Sequence, residues 1–280
     1  RVLRHLKYVV VDECHTYRGV FGANVALVLR RLLRIAAAYG SSPTLIYASA
    51  TAADPAGQAR RLSGREAVAV TEDAAPSGER TIVLWEPGFI EGAEGEGGAP
   101  VRYPATAEAA SVSAELLLQG ARTLTFVRSR RAAETVAMRT QEHLSTAGRA
   151  DMAERVAPYR AGYLAEDRRE LERRLDNGAL LGVASTNALE LGIDVGGLDA
   201  VVMAGFPGTV ASFRQQAGRA GRRGQSSVAV LVARDEPMDT YLVHHPDALL
   251  GTPVENSVFD PTNPFILRGH VYCAAVERPL

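Results

Sequence analysis

Lysine is almost missing from this chain: Lys7 stands alone among 31 basic residues, and arginine supplies the rest. The phosphate-cradling loop GxxxxGK[ST] needs a lysine behind glycines, and Lys7 has none before it, so that loop is excluded from these residues. Cysteine is equally scarce. Cys14 and Cys273 form no CxxC pair and no disulfide framework, which leaves a reducing cytoplasm as the expected setting. No apolar run is long enough for a bilayer span, and the arginine-bearing N-terminus lacks the apolar core of a signal peptide. Net charge is -1, so global electrostatics argue neither for nor against a nucleic-acid partner. Aromatics make up 6% of the chain and form no evident stacking platform, so any contact with nucleic acid should run through its backbone and respond to salt.

What is present is a regular alternation. Short β-branched runs alternate with helical patterns, which predicts an α/β fold with parallel sheets and crossover helices. LKYVVVDE (Leu6 to Glu13) reads as a buried strand, and an amphipathic helix follows from Asn24 to Tyr39 with Gly40 as its stop. TLIYAS (Thr44 to Ser49) is the next strand, and Asp54-Pro55 opens a short helix as N-cap and first-turn proline. A second series carries strands at TIVLW (81–85), TLTFV (123–127), ALLGVAS (179–185), DAVVMAG (199–205) and SVAVLVA (227–233). Helices lie between them, including EDRRELERRLDNG with its Leu171 and Leu175 pair closed by Gly178. The Gly/Glu-rich stretch Gly88 to Pro100 reads as a mobile loop.

Chemistry-bearing residues gather at strand ends. Asp12 and Glu13 follow a buried strand, His15 comes directly after, and Ser49 and Thr51 close the next strand. Open α/β sheets bind ligands at that carboxyl edge. A strand-end Asp can hold Mg²⁺ while a neighbouring carboxylate orients the attacking water. An isolated acidic pair there would equally be a solvated turn; the hydroxyls on the next strand end point to one shared site. Cys14 has no His/Asn partner pattern and reads as a small buried filler. Thr186 at a strand-to-helix junction offers a hydroxyl and helix-terminal N–H groups suited to a phosphate. Arg128, Ser129 and Arg130 follow their strand in the same way. QQAGRAGRRG (Gln215 to Gly224) has three arginines among small residues and no acidic residue. By itself it could be a solvated basic turn.

DECH, SAT, FVRSRR, TNALELGID and QQAGRAGR stand in the order and spacing of superfamily 2 helicase motifs II to VI, over about residues 6 to 225. DECHTYRGVFG, YRAGYLAEDRRELERRL and NPFILRGHVYCAAVERPL further resemble the DExH DNA helicases of the mitomycin-repair type, which carry a C-terminal zinc domain. The resemblance implies RecA-like domains, ATP and Mg²⁺ as cofactors, and translocation 3′ to 5′ on single-stranded DNA in repair. It assigns Asp12 and Glu13 to the metal and the water, with His15 beside them. Arg219 and Arg222 match the arginines that meet the γ-phosphate, whereas Arg223 has no such match. Gly192, Asp194 and Gln215 fall on the nucleotide side; Arg128, Ser129 and Thr186 on DNA; Ser49 and Thr51 on interdomain coupling. Tyr17 and Arg18 could touch DNA or form a structural turn.

The resulting layout has residues 1–75 as the C-terminal part of a first RecA-like domain, 76–245 as a complete second one, and 246–280 as the start of an accessory region. The phosphate loop and the zinc cysteines are then expected outside this sequence, upstream and downstream. An RNA helicase and a non-catalytic helicase-like binding protein remain the alternative readings. The intact Asp12, Glu13, Arg219 and Arg222 favour a working ATPase.

Overall fold

The computed structural model describes the chain apart from residues 1, 51, 73, 75–77, 160, 161, 190–196, 222, 223 and 280. Two compact units emerge: Arg1–Asp73 together with Pro253–Leu280, and Ala74–Thr252. From Pro253 onward, the stretch read as the start of an accessory region packs within the first unit.

In the first unit, β1 (Tyr8–Val11) leads through a short turn into α1 (Gly19–Ala38). β2 (Thr44–Tyr47) then pairs with β1 in parallel, Tyr8 opposite Thr44 and Val11 opposite Tyr47, and α2 (Pro55–Ser63) follows. Ala23, Ala26, Leu27, Leu29, Leu33 and Ala36 are the buried stripe of α1, at helical spacing. The helix stops at Gly40, whose φ of +79° is the left-handed conformation that glycine adopts without penalty. Asp54 caps α2 by accepting from the Gly57 N–H at 2.9 Å. Val11, Cys14, Ala26, Leu29, Leu62 and Phe259 form the core of this unit.

α1 begins five residues before the start read from the sequence: the Gly19 N–H donates to the Val258 carbonyl at 2.7 Å, and Gly22 packs against the Tyr17 carbonyl. A Cβ there would come within 2.6 Å of it. Tertiary contact overrides the poor helix propensity of the two glycines in GVFG.

The second unit opens with β3 (Arg80–Trp85), the strands β4 (Phe89–Glu94) and β5 (Pro100–Arg102), and α3 (Ala105–Leu118). It continues through β6 (Thr123–Phe126), α4 (Arg130–Thr146), α5 (Ala150–Ala153), β7 (Val156–Tyr159), α6 (Ala165–Asp176), β8 (Gly182–Ser185) and β9 (Ala200–Ala204). α7 (Val210–Ala217), β10 (Ser227–Val232), α8 (Pro237–His244) and α9 (Pro246–Leu250) complete it. The remaining helix, α10 (Pro264–Glu277), belongs to the first unit and lies on α1.

Six strands form one parallel sheet in the order β3-β10-β9-β6-β8-β7. Val202, Ala204, Val230 and Val232 join α3 and α4 in one apolar cluster. Their neighbours Val201, Met203 and Leu231 point to the opposite face and are equally buried. Helices therefore cover both faces, and the central strands read as unbroken apolar runs. This is the RecA-like architecture expected from the sequence.

Two further differences from the sequence reading concern strands. Gly88 to Pro100 is no mobile loop: β4 and β5 pair antiparallel, with Phe89 opposite Arg102 and Glu94 opposite Pro100. The Arg102 guanidinium sits 4.0 Å over the Phe89 ring and 3.0 Å from the Glu86 carboxylate, which pins the base of the hairpin. The strand β7 escaped the sequence reading because Pro158 interrupts it; it sits at the sheet edge and pairs only with β8, the position where a proline is tolerated.

Candidate functional site

In the first unit the site is the loop that leaves β1. Asp12 is exposed, and its Oδ1 accepts from the Glu13 N–H at 2.9 Å. Glu13 has φ 48° and ψ 41°, the left-handed region, and among the described residues no other non-glycine has a positive φ. Such a conformation costs free energy and persists only where its surroundings enforce it. The enforcing contacts are visible. Cys14 to Thr16 form a 3₁₀ turn, and the Thr16 hydroxyl donates to the Glu13 carbonyl at 2.8 Å. The Cys14 N–H donates to Ala48 O at 3.0 Å, tying the loop to the end of β2. Burial raises the Cys14 thiol above its usual range, and the residue is 6% exposed, so it fills space rather than acting as a nucleophile.

His15 Nδ1 lies 3.1 Å from Ser49 Oγ and 3.4 Å from Glu13 Oε2. One imidazole thus joins the carboxylate loop after β1 to the hydroxyl after β2. Thr51 lies outside the described residues. Tyr17 tilts against Phe21 at 5.6 Å between ring centres, and its hydroxyl reaches the Asp12 carbonyl at 3.5 Å.

Among the described residues no group of three or more His, Cys, Asp and Glu forms a metal cage. Mg²⁺ suits the donors that are there, since it is commonly held by one or two carboxylates with its other positions on water and substrate phosphates. Asp12, exposed at a strand end, has the chemistry for that duty.

In the second unit the candidate residues line the carboxyl edge of the sheet. Phe126 pairs with Ser185, so Arg128 and Thr186 emerge from the adjacent strands β6 and β8. Ser129 is the N-cap of α4, where its hydroxyl accepts from the Ala132 N–H at 3.1 Å. Arg128 is half exposed. It donates to the Phe206 carbonyl at 3.1 Å and stands 3.9 Å from the Glu236 carboxylate. Behind it lies a network that sequence reasoning missed. Asp239 is fully buried and accepts from the N–H groups of Phe206 and Arg234, both at 3.0 Å, and from the Arg234 guanidinium at 2.7 and 2.9 Å. Arg234 also donates to Phe206 O at 3.2 Å, and so fixes the carbonyl that Arg128 grips. No sequence signal marks Asp239, which reads as an ordinary acid in the first turn of α8.

The segment after α7 contains the glycine-spaced arginines. Gln215 lies in the last turn of α7, and Arg219 is 8% exposed. Gly221 has φ +78°, and a Cβ there would stand 2.4 Å from Ser227 Oγ. Small residues are therefore required where this segment passes β10. Arg222, Arg223, Gly192 and Asp194 lie outside the described residues.

The fold is that of RecA-like units, with polar and charged groups at the strand ends. Residues 108–224 match the helicase conserved C-terminal domain. The chain is 43% identical over 278 residues to the "uncharacterized ATP-dependent helicase YprA" of Bacillus subtilis, covering 99% of this chain and 36% of that protein. It is 42% identical over 285 residues to the ATP-dependent helicase HRQ1 of Saccharomyces cerevisiae, covering 99% of this chain and 26% of that one. Among solved structures it resembles the DUF1998 helicase MrfA bound to DNA and AMPPNP, with a TM-score of 0.89 and 43% identity over 99% of this chain and 37% of that chain. These relatives and the family model are all described as helicases. The chain spans about a third of the length of the Bacillus relative and about a quarter of the yeast one.

Proposed function

We propose that this chain is part of an ATP-dependent DNA helicase that moves 3′ to 5′ along single-stranded DNA and serves DNA repair. One observation carries the reading: nearly the whole chain follows, at 43% identity, a helicase whose structure was solved with DNA and AMPPNP.

In this reading Asp12 holds the Mg²⁺ of bound ATP, and Glu13 orients and deprotonates the attacking water. The metal, when bound, neutralises charge on the phosphates. Arg219 and Arg222 meet the γ-phosphate, where an arginine finger is worth about 10³–10⁵ in rate. Gly192, Asp194 and Gln215 complete the nucleotide side. His15, Ser49 and Thr51 pass the state of the nucleotide on to strand separation. Arg128, Ser129 and Thr186 bind the DNA backbone: Arg128 by charge, Ser129 and Thr186 by hydroxyls beside backbone N–H groups. Phosphate contacts of this kind position the strand without reading its sequence.

The test uses full-length protein containing this chain. ATP hydrolysis is measured with single-stranded DNA and with single-stranded RNA of matched length, and unwinding with duplexes bearing a 3′ or a 5′ tail. DNA should stimulate hydrolysis more than RNA, and the 3′-tailed duplex should open. Stimulation by RNA alone would make this an RNA helicase, and the absence of hydrolysis with either would leave a binding protein.

A further inference from the structure

The carboxylate loop is fastened from behind by two side chains that no helicase motif includes. The Gln58 side chain, on α2 and 3% exposed, donates from Nε2 to the Cys14 carbonyl at 2.6 Å. The Ser257 hydroxyl, 242 residues along the chain from His15, donates to the His15 carbonyl at 3.0 Å. With Thr16 on the Glu13 carbonyl, three successive carbonyls of the loop are each held by a side chain.

Ser257 arrives on a strap with anchors of its own. The next carbonyl, Val258 O, accepts from the Gly19 N–H at 2.7 Å, at the start of α1. Phe259 is 7% exposed in the apolar cluster with Val11, Cys14 and Leu62, and the Arg61 guanidinium lies 5.9 Å from its ring centre. Strap and α2 therefore reach the 3₁₀ turn from different parts of the chain.

We infer that Gln58 and Ser257 are positioning residues for Glu13: by fixing the carbonyls of Cys14 and His15 they hold Glu13 in its left-handed conformation. A left-handed Glu relaxes toward commoner backbone angles when its neighbours allow it. A turn fixed through its outward carbonyls cannot follow that relaxation, so the Glu13 carboxylate keeps one direction. The inference rests on the reading of Glu13 as the water-handling group, and it adds a role for the C-terminal strap.

The experiment uses full-length protein with Ser257→Ala, Ser257→Thr, Gln58→Met and Glu13→Gln. Gln58→Met keeps the volume and loses the donor, and Ser257→Thr keeps the hydroxyl. Amide exchange is followed across residues 13–17 without nucleotide; steady-state ATPase with saturating single-stranded DNA and DNA affinity are measured alongside. Ser257→Ala and Gln58→Met should each speed exchange in the loop and lower kcat by roughly three- to ten-fold, the factor that one ordinary hydrogen bond can shift. The KM for ATP and the affinity for DNA should stay within about two-fold, and Ser257→Thr should restore kcat. If Glu13→Gln is inactive while both donor-loss variants keep wild-type kcat, the positioning role is overturned. A fall in kcat with unchanged loop exchange overturns it as well. If Glu13→Gln itself turns over normally, the reading of Glu13 fails first and takes the inference with it.

Discussion

His15 Nδ1 stands 3.1 Å from Ser49 Oγ, so a single contact spans the ends of two neighbouring parallel strands. In the proposed mechanism neither residue holds the metal or activates the water. Their joint loss should therefore cost coupling more than chemistry. In full-length protein, His15→Ala and Ser49→Ala should each reduce DNA unwound per ATP hydrolysed more than they reduce hydrolysis. The double variant should be no worse than the more damaged single one, because groups that share one contact are not additive. Unwinding and ATPase rates measured on the same preparations give the ratio. Strictly additive losses would place the two residues on separate tasks.

The glycines beside the arginines, Gly221 before Arg222 and Gly224 after Arg223, answer to two different demands, and stability can separate them. Gly221 and Gly224 have nearly the same backbone, with φ of +78° and +77°. A Cβ at Gly221 would stand 2.4 Å from Ser227 Oγ, whereas nothing lies within 4 Å of one at Gly224. Gly224→Ala should cost about 1–2 kcal/mol, the left-handed penalty alone. Gly221→Ala should cost measurably more, because Ser227 must also move. Denaturant melts of the two variants decide it; equal losses would mean that the Ser227 contact yields freely.

Much of this was readable beforehand because it is local. The strands β6, β8 and β9 announce themselves as apolar runs buried on both faces, and Asp54-Pro55 writes its own helix start. DECH and SAT are contiguous, so their chemistry could be read directly. Contacts to backbone carbonyls leave no such trace. Gln58 and Ser257 matter through Cys14 O and His15 O, which any residue would supply, and Asp239 matters through the amides of Phe206 and Arg234. The hairpin β4–β5 was hidden for a related reason. Its glycines suggested a loop, while the Arg102 ring contact and ion pair that fix it depend on the fold.

Acid should loosen α10 from α1. His270 lies with Nε2 3.0 Å from Asn24 Oδ1 and Nδ1 3.2 Å from the Arg31 guanidinium, and Arg31 in turn pairs with Glu277. Burial first, and then the Arg31 charge, hold His270 below its ordinary pKa of 6.5, while Glu277 pulls the other way. The hydrogen bond from Arg31 holds Glu277 below its ordinary 4.5. Both groups have depressed folded-state values, so both contribute stability at neutral pH that is lost on acidification. For His270 the loss begins as pH falls through about 6.5 and is complete below its folded value; the Glu277 loss follows at lower pH. Amide exchange on α10 should rise between neutral pH and about pH 5, once corrected for its intrinsic pH dependence, and His270→Gln should flatten the upper part of that rise. A pH-independent α10 would contradict the arrangement.

The central claim is that Asp12 and Glu13 form the working centre of an ATP-driven motor, and Glu13→Gln tests it most directly. The change keeps the size of the side chain and leaves Asp12 for the metal. Full-length variant protein, assayed for steady-state ATP hydrolysis with saturating single-stranded DNA and separately for ATP and DNA binding, should bind both and turn over neither slowly nor fast but at background. Hydrolysis within a few-fold of the wild-type rate would contradict the assignment of this loop.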